Sequence, residues 1–164
     1  HDAEVYMNMG NALKEKGNFD EAINSYNHAL KLKPNYPEAY CNCAFVYNLK
    51  GFLQKGLELY EWRLQRFQSN VKSPRKHMIW DGNEPIKTKK FLIYEEQGLG
   101  DIIQFCRYLP LLKQKGAEVT FKVNKKMHAL LDTIKSNIVL VDRYPDDSEI
   151  DFETPLMSLS LIHI

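Results

Sequence analysis

Apolar residues in the N-terminal part of the chain recur every three or four positions, the spacing of one face of a helix. The pattern predicts four consecutive helices, at Glu4–Lys16, Phe19–Leu32, Pro37–Lys50 and Leu53–Phe67. Pro37 fits the first turn of its helix, because the N–H group that proline lacks has no intrahelical partner there. This part of the chain is therefore predicted to be all-helical.

The four helices form two copies of a 34-residue repeat. Identical residues recur 34 positions apart, among them Tyr6 and Tyr40, Asn8 and Asn42, Gly17 and Gly51, and Tyr26 and Tyr60. Small residues recur with the same offset, at Gly10 and Ala44 and at Ala22 and Gly56. Small side chains let two antiparallel helices approach closely, and glycine relieves strain in the turn between them. The two copies are assigned to residues 3–36 and 37–70.

These positions resemble the tetratricopeptide repeat over the range Ala3 to Gln68. The second copy departs from the family pattern at Arg63 and Gln68, where a small residue and a proline are preferred. We therefore expect the superhelix to end there. The resemblance implies that the concave face of the repeats binds a protein or peptide partner.

Asn8 and Asn42 occupy equivalent positions on the first helix of each copy. They resemble the asparagine ladder of O-GlcNAc transferases, which grips the backbone of a bound peptide. An amide side chain suits this role because it offers both donors and an acceptor. The resemblance thus implies that Asn8 and Asn42 bind peptide. The alternative is that both are ordinary solvent-exposed helix residues.

Between residues 70 and 90 the helical period disappears, and Pro74, Gly82 and Pro85 occur among basic residues. This composition predicts a linker, with a repeat domain at 1–69 and a second domain at 91–164. Within the linker, Trp80-Asp81-Gly82 predicts a turn whose indole is buried between the domains. The alternative is an exposed loop.

From Phe91 onward, short apolar runs alternate with amphipathic segments. They predict strands at Phe91–Glu95, Val119–Val123 and Ile138–Val141, with helices at Asp101–Lys115 and Lys125–Lys135 between them. This β-α-β-α-β order implies a Rossmann-like parallel sheet with right-handed crossovers. Pro110 should kink or interrupt its helix.

A further strand is predicted at Ile150–Glu153, and a new element begins at Pro155. Because the pattern stops at Ile164 with half of a doubly wound sheet, we expect the sequence to be part of a longer protein. The predicted fold class is α plus α/β: helical hairpins followed by an incomplete Rossmann-like domain.

Composition narrows the possible functions. The formal net charge is +1 and no long basic or acidic block occurs, which argues against a nucleic-acid partner. No apolar run reaches the roughly 18–20 residues needed to cross a bilayer. The given residues do not predict a signal peptide, but the sequence starts at His1 rather than Met, so we expect the true N-terminus to be missing from it. We expect a cytoplasmic protein that binds no membrane. The three cysteines, two of them in Cys41-x-Cys43, are expected to be reduced, mostly buried thiols.

The common motifs of cofactor and metal binding are missing from the sequence. Gly98-x-Gly100 begins a dinucleotide fingerprint, but Ile103 stands where the third glycine is needed. No Walker phosphate loop occurs, and no set of histidines, cysteines and acids has the spacing of a metal site. His28 and His128 are interpreted as surface helix residues and His77 as a structural residue of the linker. We expect no metal and no cofactor in this chain.

Asp101 is the sharpest candidate for chemistry, because it follows a glycine turn at the carboxyl end of a predicted strand, where open α/β sheets bind ligands. One interpretation is a capping box, Asp101-x-x-Gln104, whose carboxylate accepts hydrogen bonds from first-turn N–H groups. The other interpretation is a general base. Gly98 and Gly100 either form the turn or let a ligand approach the backbone.

The segments Glu96–Phe105, Arg107–Pro110 and Pro155–Leu159 resemble tetratricopeptide-repeat proteins fused to a GT-B-type glycosyltransferase domain. The Gly100-Asp101 turn is similar to that of bacterial heptosyltransferases. The resemblance implies an inverting, metal-independent sugar transfer in which Asp101 deprotonates the acceptor. It also implies substrate contacts from Gln97, Gly98, Gly100 and Gln104.

The same resemblance implies that a nucleotide-sugar donor binds a second half-domain, so we expect these 164 residues alone to be inactive. Two positions depart from the family: Pro110 lies further from Asp101 than the matching proline of heptosyltransferases, and Ser160 replaces an expected proline. The alternative hypothesis is a non-catalytic protein-interaction module in which the α/β part is a structural cap.

Overall fold

The computed structural model describes residues 2–66, 78–80, 84–134, 137–145 and 150–163. The chain divides into two compact units, His1–Ser73 and Pro74–Ile164. The first unit is helical and the second is an α/β unit, and each is described by itself. The domain bounds 1–69 and 91–164, with a linker at 70–90, stay predictions.

The N-terminal unit is a series of helices. Its described part contains α1 (Ala3–Glu15), α2 (Phe19–Leu32), α3 (Pro37–Leu49), α4 (Leu53–Tyr60) and α5 (Arg63–Arg66). The first three agree with the predicted helices to within one residue at each end, and Pro37 lies in the first turn of α3. Helix α1 packs on α2 and α3 packs on α4, so the predicted helical hairpins are confirmed.

Small residues let the helices of each hairpin approach. A Cβ atom added to Gly10 on α1 would lie 2.6 Å from Cε1 of Tyr26 on α2. Tyr26 is fully buried in a cluster that also contains Ala22, Ile23, Cys43 and Val46. Gly17 and Gly51 form the turns of the two hairpins with φ angles of 79° and 83°, which glycine adopts without strain.

The predicted helix Leu53–Phe67 is wrong in its second half, because α4 ends at Tyr60 and α5 begins at Arg63. In a continuous helix the Tyr60 carbonyl oxygen would accept from Leu64, but here it accepts from Arg63 Nη1 at 3.3 Å. The Leu64 N–H group donates to the Glu61 carbonyl oxygen at 3.0 Å. This is the tighter hydrogen-bond spacing of a 3₁₀ turn, which interrupts the α-helical ladder. Gln68, where the superhelix was expected to end, lies outside the described residues.

The second unit is built on a parallel sheet of five described strands. They are β1 (Met78–Ile79), β2 (Lys90–Tyr94), β3 (Glu118–Lys122), β4 (Val139–Val141) and β5 (Phe152–Pro155). The strands lie in the order β1-β5-β2-β3-β4. The predicted parallel β-α-β-α-β pattern is confirmed. The strand predicted at Ile150–Glu153 starts two residues later, because Asp151 binds the start of β2 through its side chain and its N–H group.

Strand β1 lies inside the segment that we expected to be the linker. Met78 pairs with Phe152 of β5, and a two-residue strand is too short to show an alternating pattern. Trp80 follows β1 and is buried, with its ring centroid 5.3 Å from that of Phe91. Its Nε1 donates to the Glu84 carbonyl oxygen at 3.1 Å, within the second unit. The other residues of its predicted turn lie outside the described residues.

The helix predicted at Asp101–Lys115 is split into α6 (Leu99–Phe105) and α7 (Leu109–Gln114) by a 3₁₀ turn at Cys106–Tyr108. Pro110 explains the split, because it has no N–H group to donate to the Cys106 carbonyl oxygen, which accepts from Leu109 instead. The interruption predicted from Pro110 is therefore confirmed.

The helix predicted near Lys125–Lys135 is present as a helical segment over residues 125–134, but most of it is 3₁₀ rather than α-helix. It contains a single α-helical turn, α8 (His128–Leu131), between 3₁₀ turns at Lys125–Met127 and Asp132–Ile134. The last described element is a 3₁₀ segment, Leu156–His163, which follows β5 directly.

Candidate functional site

The strand order of the second unit places a topological switch point beside β2. From β2 the chain moves to β3 and β4 on one side, and β5 then returns to the other side of β2. In doubly wound sheets ligands bind outside the carboxyl ends of the strands at such a switch point. The segments that leave β2 and β5 meet here, since the Glu96 carboxylate accepts from the Met157 N–H group at 3.1 Å.

Glu95 fixes the start of the segment after β2. One carboxylate oxygen accepts from Lys122 Nζ and the other from the Asn124 N–H group, each at 3.0 Å. Glu95 and Glu96 were not among the residues singled out from the sequence. The sequence does show an acidic pair directly after an apolar strand. This pattern alone does not reveal which groups the two carboxylates bind.

Asp101 lies in the first turn of α6, whose N-cap residue is Gly98. Its Oδ2 accepts from the Gly98 N–H group at 3.1 Å. The capping box predicted from Asp101 and Gln104 is therefore wrong in its residues: the helix begins earlier, and Asp101 caps it from the third helical position, with Gly98 as the N-cap residue. The Gln104 side chain is exposed. Among the described residues no hydrogen-bond partner is found for Oδ1 of Asp101, so one carboxylate oxygen positions the side chain and the other stays available.

The two glycines of the turn are not required by its backbone. The left-handed conformation is taken by Gln97, with φ of 62°, while Gly98 has φ of −91°. A Cβ atom at Gly100 would meet nothing within 4 Å, and one at Gly98 would meet only Oδ2 of Asp101, at 3.6 Å. Gln97, Gly98 and Gly100 are all exposed. The turn therefore does not require glycine at either position, and the approach of a ligand to the backbone there stays a prediction.

In the N-terminal unit the amides expected to bind peptide differ in their surroundings. Asn8 is exposed and makes no hydrogen bond to another described residue. Asn42 is half-buried, and its Nδ2 donates to Oδ1 of Asn11 at 3.0 Å. The same oxygen accepts from the Tyr26 hydroxyl at 2.8 Å. Burial raises the pKa of Tyr26 to about 12, with smaller contributions from Cys43 and Glu15, so its hydroxyl stays a donor. Asn11, which joins the two hydrogen bonds, was not among the residues predicted from the sequence.

Two of the histidines interpreted from the sequence contact neighbouring groups of the protein. His28 is exposed and stacks on Tyr6 at a centroid distance of 5.3 Å. His128 is half-buried rather than a plain surface residue, because its Nε2 lies 3.3 Å from the Val123 carbonyl oxygen. His77 lies outside the described residues.

The three cysteines are buried and free of disulfides, as predicted. Burial raises the pKa of each thiol, to about 11 for Cys43, which disfavours the reactive thiolate. In the described ranges no group of three or more histidine, cysteine or acidic side chains is placed to hold a metal ion. None of the helices described there is both long enough and apolar enough to span a membrane.

Fold and geometry together define a protein that combines a unit of helical hairpins with a parallel α/β unit. A family model described as TPR repeat matches residues 10–51, from the middle of α1 to the turn before α4. No curated protein matches the chain. The match and the hairpins support a tetratricopeptide-type repeat in the N-terminal unit, and repeats of this kind suggest protein–protein interaction.

Proposed function

We propose that the N-terminal unit binds an extended peptide segment of a partner protein on its concave face. The match of residues 10–51 to the TPR repeat is the observation that carries this proposal. Stacked helical repeats bind partners along the surfaces that their repetition creates. Equivalent side chains on successive repeats can therefore contact successive parts of one peptide.

The amides have different roles in this proposal. Asn8 offers both its donors and its acceptor, because no other described residue uses them. It can therefore bind an N–H and a C=O group of the same peptide backbone. Asn42 already donates to Asn11, so it contributes through its Oδ1 atom. Asn8 is the better residue for a test, since changing Asn42 would also remove an internal hydrogen bond.

The proposal predicts that Asn8→Ala weakens peptide binding about three- to tenfold, the equivalent of roughly one net hydrogen bond or slightly more. Binding is measured by NMR titration with a library of extended peptides. Asn27→Ala is the matched control, because Asn27 is also an exposed helix asparagine but lies on α2. Shifts confined to α2 and α4, or equal weakening by both variants, would reject peptide binding through Asn8.

We further propose that the α/β unit is the acceptor-side half of a GT-B-type glycosyltransferase, with a nucleotide sugar as donor. Three features support it: the switch point beside β2, the open Oδ1 atom of Asp101, and two exposed glycines that the turn does not need. Asp101 would take the proton from an acceptor hydroxyl as it attacks the anomeric carbon. Gln97, Gly98, Gly100 and Gln104 would contact the substrate.

The rival hypothesis is a non-catalytic interaction module whose α/β unit is structural. Asp101→Asn separates the two, because asparagine keeps an acceptor for the Gly98 N–H group but cannot take a proton. In the full-length protein, the base hypothesis predicts a fall in sugar transfer of ~10²–10⁴-fold with little change in melting temperature. Asp132→Asn serves as the control, since Asp132 is an exposed acid of the same unit. Turnover of Asp101→Asn within a few-fold of the parent would leave Asp101 a structural residue.

A further inference from the structure

An open cleft of about 380 Å³ lies at the carboxyl ends of β3 and β4. It is lined by Lys125, His128, Leu140, Val141, Asp142 and Arg143. The volume falls within the range of roughly 300–1,000 Å³ that is typical of small-molecule sites. We propose that this cleft binds a small phosphorylated molecule, with Lys125 and Arg143 as the groups that hold the phosphate.

The charges around the cleft carry this proposal. Lys125 and Arg143 are exposed, and neither forms an ion pair or hydrogen bond within the part of the chain that the structure describes. The neighbouring Lys122, in contrast, is bound to Glu95 at 3.0 Å and does not line the cleft. Two unengaged cations face a single acid, Asp142, so the cleft keeps a positive charge that an anion can neutralise.

The side chain of His128 is already oriented within this cleft. Its Nε2 lies 3.3 Å from the Val123 carbonyl oxygen, which can only accept, so Nε2 carries a proton. The second ring nitrogen, Nδ1, then carries a lone pair and can accept a hydrogen bond from a hydroxyl group of the ligand. Leu140 and Val141 of β4 complete the lining and suit the carbon part of such a molecule.

Phosphate fits this group of side chains better than carboxylate does. A phosphate monoester carries close to two negative charges and three acceptor oxygens at neutral pH, so it can engage a lysine and an arginine together. Guanidinium also matches phosphate geometry with two parallel hydrogen bonds. The cleft lies one to two strand positions from β2, about 5–10 Å along the sheet, and none of the residues of the proposed Asp101 site lines it. The inference therefore does not depend on the function proposed for Asp101.

The test is an NMR titration of the 164-residue chain with glycerol 3-phosphate at constant ionic strength. Glycerate replaces the phosphate by a carboxylate, and glycerol removes the charge. The expected result is saturable shifts at the amides of residues 125–128 and 140–143, with glycerate bound at least several-fold more weakly. Absence of saturation with glycerol 3-phosphate, or equal affinity for glycerate, would overturn the proposal.

Variants identify the residues that bind. Lys125→Ala and Arg143→Ala should each weaken glycerol 3-phosphate binding about tenfold, the value of one charge-assisted hydrogen bond. Lys126→Ala is the matched control, because Lys126 is an exposed lysine next in sequence that does not line the cleft. It should change affinity less than twofold. An equal loss of affinity in Lys126→Ala and Lys125→Ala would mean that glycerol 3-phosphate is attracted only by the general positive charge of the surface, and would refute the site.

Discussion

Arg63 is the largest side chain that is fully buried in the described residues, with 1% of its surface exposed. Its guanidinium lies over the ring of Tyr60 at 5.1 Å, donates to the Tyr60 carbonyl oxygen, and pairs with Glu61. A buried charge is tolerated only when it is paired and hydrogen-bonded. Arg63, which departs from the repeat pattern, is thus held by partners close to it in sequence.

Replacing Arg63 by alanine should lower the free energy of unfolding by about 3 kcal/mol, because a buried ion pair is broken and a large side chain is removed. Urea unfolding followed by circular dichroism measures the loss. Arg66→Ala is the control, since Arg66 lies on the same helix but is exposed, and it should cost less than about 1 kcal/mol. Similar losses in both variants would show that burial of Arg63 contributes nothing.

The same substitution at two glycines should have opposite effects. Gly10→Ala should destabilise the protein by about 1–3 kcal/mol, because its Cβ atom would lie within 3.0 Å of three ring atoms of Tyr26. Gly100→Ala should stabilise it by up to about 1 kcal/mol, since the position is helical and the added atom meets nothing within 4 Å. Thermal unfolding of both variants checks the signs. If Gly100→Ala lowers the melting temperature, the turn needs glycine after all.

At the level of elements, the apolar spacing predicted α1, α2 and α3 well, although α3 packs against helices on more than one side and buries Cys41 and Cys43, which lie on different faces. The spacing failed where a side chain competes for backbone groups, as Arg63 does for the Tyr60 carbonyl oxygen. The break between α6 and α7 could be predicted, because proline lacks the N–H group that a continuous helix needs at position 110. Strand β1 gave no such signal, since its position depends on a partner far along the chain.

Asp151 joins the starts of β2 and β5. Its carboxylate accepts from the Lys90 N–H group at 2.8 Å and from Lys89 Nζ at 3.2 Å, and these bonds lower the pKa of Asp151 below its usual 3.8. A carboxyl group whose pKa is depressed on folding stabilises the protein above its unfolded pKa. This contribution disappears as the pH falls through the native value.

The parent should therefore be more stable than Asp151→Asn at pH 6, and the difference should be smaller at about pH 3, because the difference declines below the unfolded pKa of about 3.9 and disappears only below the lower native pKa of Asp151. Urea midpoints at the two pH values measure it. Asp132→Asn is the control and should cost little stability at pH 6, because no partner within the described residues holds Asp132. A difference that persists unchanged at the lower pH would contradict the role given to the Asp151 carboxylate.

For the whole molecule, the sequence located the candidate site but not its internal contacts. The end of an apolar run marks the end of β2, so the position of the segment from Glu95 to Asp101 could be predicted. The bond between Glu96 and Met157 could not, because the two residues are 61 positions apart and only the sheet order brings them together. The partner of the Asp101 carboxylate, the Gly98 N–H group, was not predicted either. It depends on where α6 starts, and α6 starts two residues earlier than predicted.

The strand order also has a consequence for synthesis on the ribosome. Each hairpin of the N-terminal unit joins helices that are neighbours in sequence. Met78 of β1, in contrast, can pair only after Phe152 has been synthesised, 74 residues later. At translation rates of ~5–20 residues per second this delay is roughly 4–15 s. During that time the edge of β2 that will receive β5 has no partner, and an open strand edge is a template for other chains. The nascent α/β unit is therefore most exposed to misassembly between the appearance of β2 and that of β5.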